Sequence, residues 1–294
     1  MHYEPAARAV GAITPTILQL LTIPRKDTGM AESYECFKVD VADFVATVRL
    51  ARSPVNAQNR RFREELITIF DVLSDRPDVR AIVLTGEGKT FSAGADLKER
   101  PGLSQEIGAY PRHNRIVRES FNAVMECEKP VVAAINGAAI GAGCVLALCC
   151  DILVASEVAY LAMTEVDVGL AGGVSHVRRF FRESDARLLI YTARRMSGPE
   201  LYRMGVVSEC VSADALLETA QRIAHEIAAK SPSAVRAAKR SFNVTEDMPL
   251  REGYRFEQSQ TVALASTEIP KRRSALLRRS GSRFFGEVER APIR

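Results

Sequence analysis

No two cysteines of this chain stand at CxxC spacing, and its four histidines, His2, His113, His176 and His225, fall at no metal-ligand spacing. A zinc site is therefore not indicated. The six cysteines are Cys36, Cys127, Cys144, Cys149, Cys150 and Cys210, and the adjacent pair Cys149–Cys150 disfavours a simple bridge. They are expected to be reduced, mostly buried thiols of a cytoplasmic protein. No GxxxxGK[ST] is present, which argues against a P-loop nucleotide site. The run Gly137–Gly143 is not GxGxxG, and no acidic residue closes a dinucleotide pattern behind a fitting strand. Without GxSxG, Ser92 and Ser175 have no nucleophile elbow. The apolar stretch Val10–Ile23 is interrupted by Pro15 and is shorter than the roughly 20 residues that span a bilayer. It also lacks the positive start and small-residue cleavage site of a secretory signal. Residues 1–33 are expected to be a poorly ordered extension, with Met30 as an alternative start.

With 294 residues, 47% of them hydrophobic, the chain can bury a substantial core, as one large domain or as a core with an appendage. Its formal charge of +4 is unevenly placed: Lys271–Arg294 holds eight basic and two acidic residues, leaving the body slightly acidic. Such a tail suits nucleic acid, a membrane surface, a phosphorylated small molecule or plain solvation.

From Glu35 the patterning becomes regular. Phe37, Val39 and Val41 alternate with polar residues, and Phe44–Leu50 resumes the alternation, which predicts a hairpin. Phe62, Leu66, Ile69, Phe70 and Leu73 lie at helical spacing, with Asn56 available as a cap. Short buried strands are expected at Arg80–Thr85 and Val131–Ile135, separated by a helix Arg112–Cys127. Each strand runs into a glycine-containing loop, Lys89–Arg100 and Asn136–Gly143, which leads to a helix starting near Asp96 or containing Val145 and Leu148. Strand, glycine turn and helix N-terminus thus recur about 47 residues apart, pointing two sets of backbone N–H groups beyond the strand ends. No internal repeat or low-complexity linker is evident. After Gly173 the periodicity is helical as far as Arg279, with one strand expected at Val206–Cys210. An α/β core with a helical C-terminal region follows. Glu165 is a carboxylate set amid the apolar residues of the stretch Pro130–Arg179, and Asp151 is expected to order backbone at a strand start.

Three segments, FSAGADLKE, PVVAAINGAAIGAGCVLALCCDI and MTEVDVGLAGG, resemble the most recognisable motifs of the crotonase family, the enoyl-CoA hydratases and isomerases. RSPVNAQN and the C-terminal basic stretch ending in Arg283 and Phe284 fit the same pattern, so the resemblance covers about Glu35–Glu287. It implies a crotonase-like spiral of β-β-α units over residues 34–229 and a helical trimerisation region over 230–294, assembled as a homotrimer or a dimer of trimers. It implies an acyl-CoA substrate, with no separate cofactor and no nucleic-acid or membrane partner. The oxyanion-hole donors fall on the backbone N–H groups of Ala95 and Ala142. Ala93, Gly94, Asp96, Leu97 and Val145 fall on substrate-binding positions, with Ala95 and its neighbours at the adenine pocket. Arg279 and Phe284 match CoA contacts in the C-terminal helix, and Lys98 is a weaker match.

Hydratases of this family use two glutamates to hold and deliver water. Here the first position is Val145, while the second is Glu165. In the dienoyl-CoA isomerases one acidic position falls again on Val145 and another, eight residues beyond the glutamate, on Gly173. A lone glutamate at Glu165 resembles the Δ3,Δ2-enoyl-CoA isomerases, in which one carboxylate moves a proton between two carbons. The alternatives are a hydratase with a non-standard second group, for which His113 and His176 are available, or a catalytically weak CoA-binding member. If the missing acid is all that blocks hydration, Val145→Glu should raise hydration of crotonyl-CoA.

Overall fold

The computed structural model describes residues 34–99 and 107–266, so the 1–33 extension, Arg279 and Phe284 lie outside the described residues. Strands β1 (Phe37–Ala42) and β2 (Val45–Leu50) form the expected antiparallel hairpin. Asp43 and Phe44 at its tip have φ of 49° and 65°, the left-handed pair that matches the twist of a tight hairpin. Helix α1 (Arg60–Asp75) follows, and here the expected cap is corrected. Asn59, not Asn56, accepts from the N–H of Phe62. Asn56 sits earlier, in a turn at φ 51°, and its Nδ2 donates to the carbonyls of Glu87, Thr90 and Phe91.

Strands β3 (Ala81–Gly86), β4 (Thr90–Ser92), β5 (Val131–Ile135), β6 (Ala138–Ile140), β7 (Ile152–Ser156), β8 (Tyr160–Ala162), β9 (Met196–Ser197) and β10 (Glu209–Val211) complete two sheets. One has six strands in the order β1-β2-β3-β5-β7-β10, and the other four in the order β4-β6-β8-β9. In the large sheet β2, β3, β5, β7 and β10 run parallel, and β3, β5 and β7 are apolar almost throughout, as strands covered on both faces must be. Their two-residue alternation sorts side chains into two cores. Ala81, Val83, Val132, Ala134 and Val154 face one way and pack with Leu216, Ala220, Ala224 and Ala228 of a helix spanning Leu216–Ala228. Ile82, Leu84, Val131, Ala133 and Leu153 join the larger core with Phe62, Leu66 and Phe70 of α1.

Each of β3, β5 and β7 hands the chain to a short strand of the second sheet, and a helix follows each time. These helices are α2 (Ala109–Glu126) after β4, α3 (Ala142–Leu148) after β6, and α4 (Val174–Arg178) with α5 (Glu183–Thr192) after β8. This is the spiral of β-β-α units that the sequence resemblance implied. The repeat is hidden in the sequence because its intervals are unequal: Ile82 pairs with Val131, whereas Val132 pairs with Ile152. The strand expected at Val206–Cys210 begins only at Glu209. The helix expected near Asp96 is, in its described part, one tight turn at 97–99 whose Lys98 N–H is accepted by Asp96 Oδ1.

The remaining helices are α6 (Gly198–Arg203), α7 (Leu216–Ala228), α8 (Pro232–Thr245) and α9 (Leu250–Ser266). α8 is pinned to the core by Lys239, only 6% exposed, whose Nζ donates to Asp151 Oδ2 at 2.8 Å and to the carbonyl of Lys129 at 3.0 Å. Asp151 Oδ2 also accepts from the N–H of Val131, the ordering role expected of it. The described cysteines are all free and all but Cys210 are buried. No helix among the described residues is long and apolar enough to cross a membrane, and no His/Cys/Asp/Glu cluster among them could hold a metal.

Candidate active site

Strands β4, β6 and β8 run parallel, so the segments after them leave the sheet at one edge. A cavity of about 250 Å³ opens there, lined by Ala93–Leu97 from the first segment, Gly141 and Ala142 from the second, Thr164, Glu165 and Val168 from the third, and Ala57. The sequence-predicted residues Ala93, Gly94, Ala95, Asp96, Leu97, Ala142 and Glu165 are thus brought together.

Ala95 and Ala142 each bring a backbone N–H to this lining. Gln58 N–H donates to Gly94 O at 2.8 Å and Gln58 O accepts from Asp96 N–H at 3.1 Å, so Ala95, bracketed between them, turns its own N–H the other way. Ala142 is the first residue of α3, where an N–H has no intrahelical acceptor. Neither N–H has an acceptor among the described residues. Gly94 is what lets the two segments meet. At φ 87° it adopts a conformation that side chains disfavour, and a Cβ there would lie 2.4 Å from Ile140 O and 3.2 Å from Ala142 N.

Glu165 opens a short 3₁₀ turn, Glu165–Val168, and is half-buried. Its carboxylate lies over the Cα of Gly141: a Cβ on that glycine would be 2.7 Å from Glu165 Oε1. The carboxylate therefore stands beside the residue that precedes Ala142. Its negative charge also reaches the Cys144 thiol, which burial, chiefly, and Glu165 push well above the ordinary thiol range. The second carboxylate of the lining, Asp96, is already committed. Burial works to raise it, but the Lys98 N–H and the Arg52 guanidinium, 2.8 Å from Oδ2, outweigh that and hold it below the usual carboxylate range. Asp96 is thus a paired anion.

Other expected residues stand elsewhere. Val145 does not line the cavity; it is 4% exposed in the core, and a Cβ on Gly173 would lie 2.8 Å from its Cγ2 and 2.4 Å from Met163 Cε. His176 lies on α4 with its ring 5.7 Å from that of Phe121, and burial and Arg179 push it below the ordinary imidazole value. His113 is on α2, with its ring 6.3 Å from that of Tyr110. Neither histidine lines the cavity. Asp167 and Lys98 are exposed. A larger cavity of about 730 Å³ lies among the end of α2, α8 and α9, but Arg236 and Lys239 in its wall are already paired with Glu128 and Asp151. Gln58, a buried amide, lies inside the RSPVNAQN segment of the resemblance but was assigned no role from the sequence. Its Nε2 donates to Ala142 O at 3.0 Å.

A spiral of β-β-α units with glycine turns and a carboxylate gathered at one sheet edge is the architecture of the crotonase fold. The family model for enoyl-CoA hydratase/isomerase matches residues 41–281, and the chain belongs to that family of enzymes. It is similar to the solved structure of an enoyl-CoA hydratase from Bacillus anthracis, with a TM-score of 0.76 and 33% identity, covering 88% of this chain and 98% of that one. Among curated proteins it is 36% identical over 222 residues to a (7aS)-7a-methyl-1,5-dioxo-2,3,5,6,7,7a-hexahydro-1H-indene-carboxyl-CoA hydrolase of Rhodococcus jostii, covering 76% of this chain and 86% of that protein. It is 32% identical over 256 residues to the human mitochondrial Delta(3,5)-Delta(2,4)-dienoyl-CoA isomerase, covering 80% and 77% of the two chains.

Proposed function

We propose that this enzyme moves a proton on an enoyl-CoA with a single carboxylate, Glu165, while the N–H groups of Ala95 and Ala142 hold the thioester oxygen. The observation that carries this reading is the seat of the Glu165 carboxylate over Gly141, beside one donor and in the cavity lined by both. Removing the proton at C2 of a 3-enoyl thioester leaves the electron pair delocalised onto the thioester oxygen. Two preset N–H donors stabilise that oxyanion without reorganising, and one such donor is worth about 10²- to 10³-fold in rate. The same carboxyl then returns the proton to C4, and the double bond ends between C2 and C3. No water, metal or redox partner enters the balance. Lone-carboxylate isomerisation is also favoured by what surrounds Val145 and Gly173: the positions of the other acids resembled in this family are filled by a valine methyl, a Met163 methyl and a glycine in contact.

The basic C-terminal stretch, with Arg279 and Phe284, is assigned to the phosphates and adenine of CoA, in a trimer or a dimer of trimers. A second reading is favoured by the Rhodococcus jostii relative, a carboxyl-CoA hydrolase: hydrolysis of an acyl-CoA, with uptake of water. A screen of acyl-CoA thioesters with product identification separates the two. The first reading expects 3-enoyl-CoA to become 2-enoyl-CoA with no gain of water. Uptake of water with no isomerisation would replace it with the second.

A further inference from the structure

Gln58 is 1% exposed, in the connection between β2 and α1, and it grips both donor-bearing segments. Its backbone brackets Ala95 through Gly94 O and Asp96 N–H. Its side-chain Nε2 reaches the other segment, donating to Ala142 O at 3.0 Å and to Ser92 Oγ at 3.3 Å. Ser92 Oγ in turn donates to Asn56 O and accepts from the Gly94 N–H. An amide buried this deeply is costly unless bonded, and an apolar side chain of the same volume would fill the space without that cost. The bond to Ala142 O fixes the first turn of α3, and with it the aim of the Ala142 N–H. Arg52 ties the Gln58 and Ala95 segments together, donating to Ala57 O and to Asp96 Oδ2.

We propose that Gln58 is a positioning residue, a strut that sets the spacing and aim of the Ala95 and Ala142 N–H groups. This rests on the reading of those two groups as an oxyanion hole, and the test separates the two ideas. Gln58→Leu keeps the volume and the backbone bonds but removes the amide donor. The probe is crotonyl-CoA carrying ¹³C at the thioester carbonyl, observed bound at saturation by infrared difference spectroscopy. The wild-type protein is expected to lower the carbonyl stretch, and Gln58→Leu to lose most of that shift while still binding the probe. On the acyl-CoA that the screen identifies, kcat is expected to fall by about 10- to 100-fold with KM changed by no more than roughly threefold. Should Gln58→Leu not fold, Gln58→Met is the variant to use, unbranched and without an N–H. A full shift and an unchanged kcat in the variant would overturn the strut and leave the oxyanion hole standing, as would a rise in KM alone. No carbonyl shift in the wild-type protein would overturn the oxyanion hole and the strut together.

Discussion

Two clusters meet at the first turns of α3 and differ in kind. Around Ala95 and Ala142 the polar groups of Gln58, Ser92, Asn56 and Asp96 are tied to one another, and neither the Ala95 nor the Ala142 N–H has an acceptor among the described residues. Around Val145, one turn further along, Gly173 and Met163 make an apolar contact with no acid or base in it. The difference separates two tasks. Stabilising a thioester oxyanion is common to many reactions of acyl-CoA, and backbone can do it. Choosing hydration over isomerisation needs side chains placed to hold water, and those are absent from the second cluster.

The sharpest way to break the first cluster is Gly94→Ala. Its Cβ would meet Ile140 O and Ala142 N at a positive φ, so the two segments must part. Turnover is expected to fall by about 10²-fold, and the strain to cost about 1–3 kcal/mol in chemical denaturation; wild-type activity in this variant would show that the close approach is irrelevant. The second cluster is probed by Val145→Glu. The packing of Met163 and Gly173 against Val145 sharpens the earlier expectation: filled space, and not only a missing acid, opposes hydration. The substitution is expected to lower stability by about 1–3 kcal/mol, because the new carboxyl is buried without a prepared partner. Crotonyl-CoA hydration should stay at the wild-type level, and a clear gain would show that the apolar contact yields. The smallest effect lies far from both clusters, at the capping box of α6, where Ser197 N–H and Oγ each donate to Glu200 Oε2 at 2.8 Å. Ser197→Ala should cost about 1 kcal/mol at neutral pH. Those two bonds hold the Glu200 carboxyl below its ordinary value of 4.5, so its contribution is present above that value and is lost as pH falls through the lowered folded one. The thermal stability gap between wild type and variant should therefore narrow in acid.

Much of this was legible in the residues themselves. Alternation marked the hairpin, apolar runs marked β3 and β5, and helical spacing marked the buried face of α1. The glycine loops and Glu165 marked the cavity. The second sheet was not legible, because strands of two or three residues carry no period: β4, β6, β8 and β9 exist only because each pairs with a neighbour remote in sequence. Asn56 looked like a helix cap because its chemistry suits one, yet three carbonyls, of Glu87 after β3 and of Thr90 and Phe91 in β4, claim its amide. Gln58 was invisible for the same reason: its partners Gly94 and Ala142 lie far along the chain. The absence of an acid at Val145 could be seen in the sequence, but the contact with Gly173 and Met163 that closes the space could not.

On the proposed mechanism one carboxylate, Glu165, moves a carbon-bound proton beside a thioester held by two backbone donors. Incubating the wild-type protein and Glu165→Gln with a 3-enoyl-CoA carrying deuterium at C2, and following the label at C2 and C4 by mass spectrometry and NMR, tests it directly. The wild type is expected to carry label from C2 to C4, and Glu165→Gln to lose about 10²-fold or more of that transfer. Transfer in Glu165→Gln at the wild-type rate would contradict that mechanism.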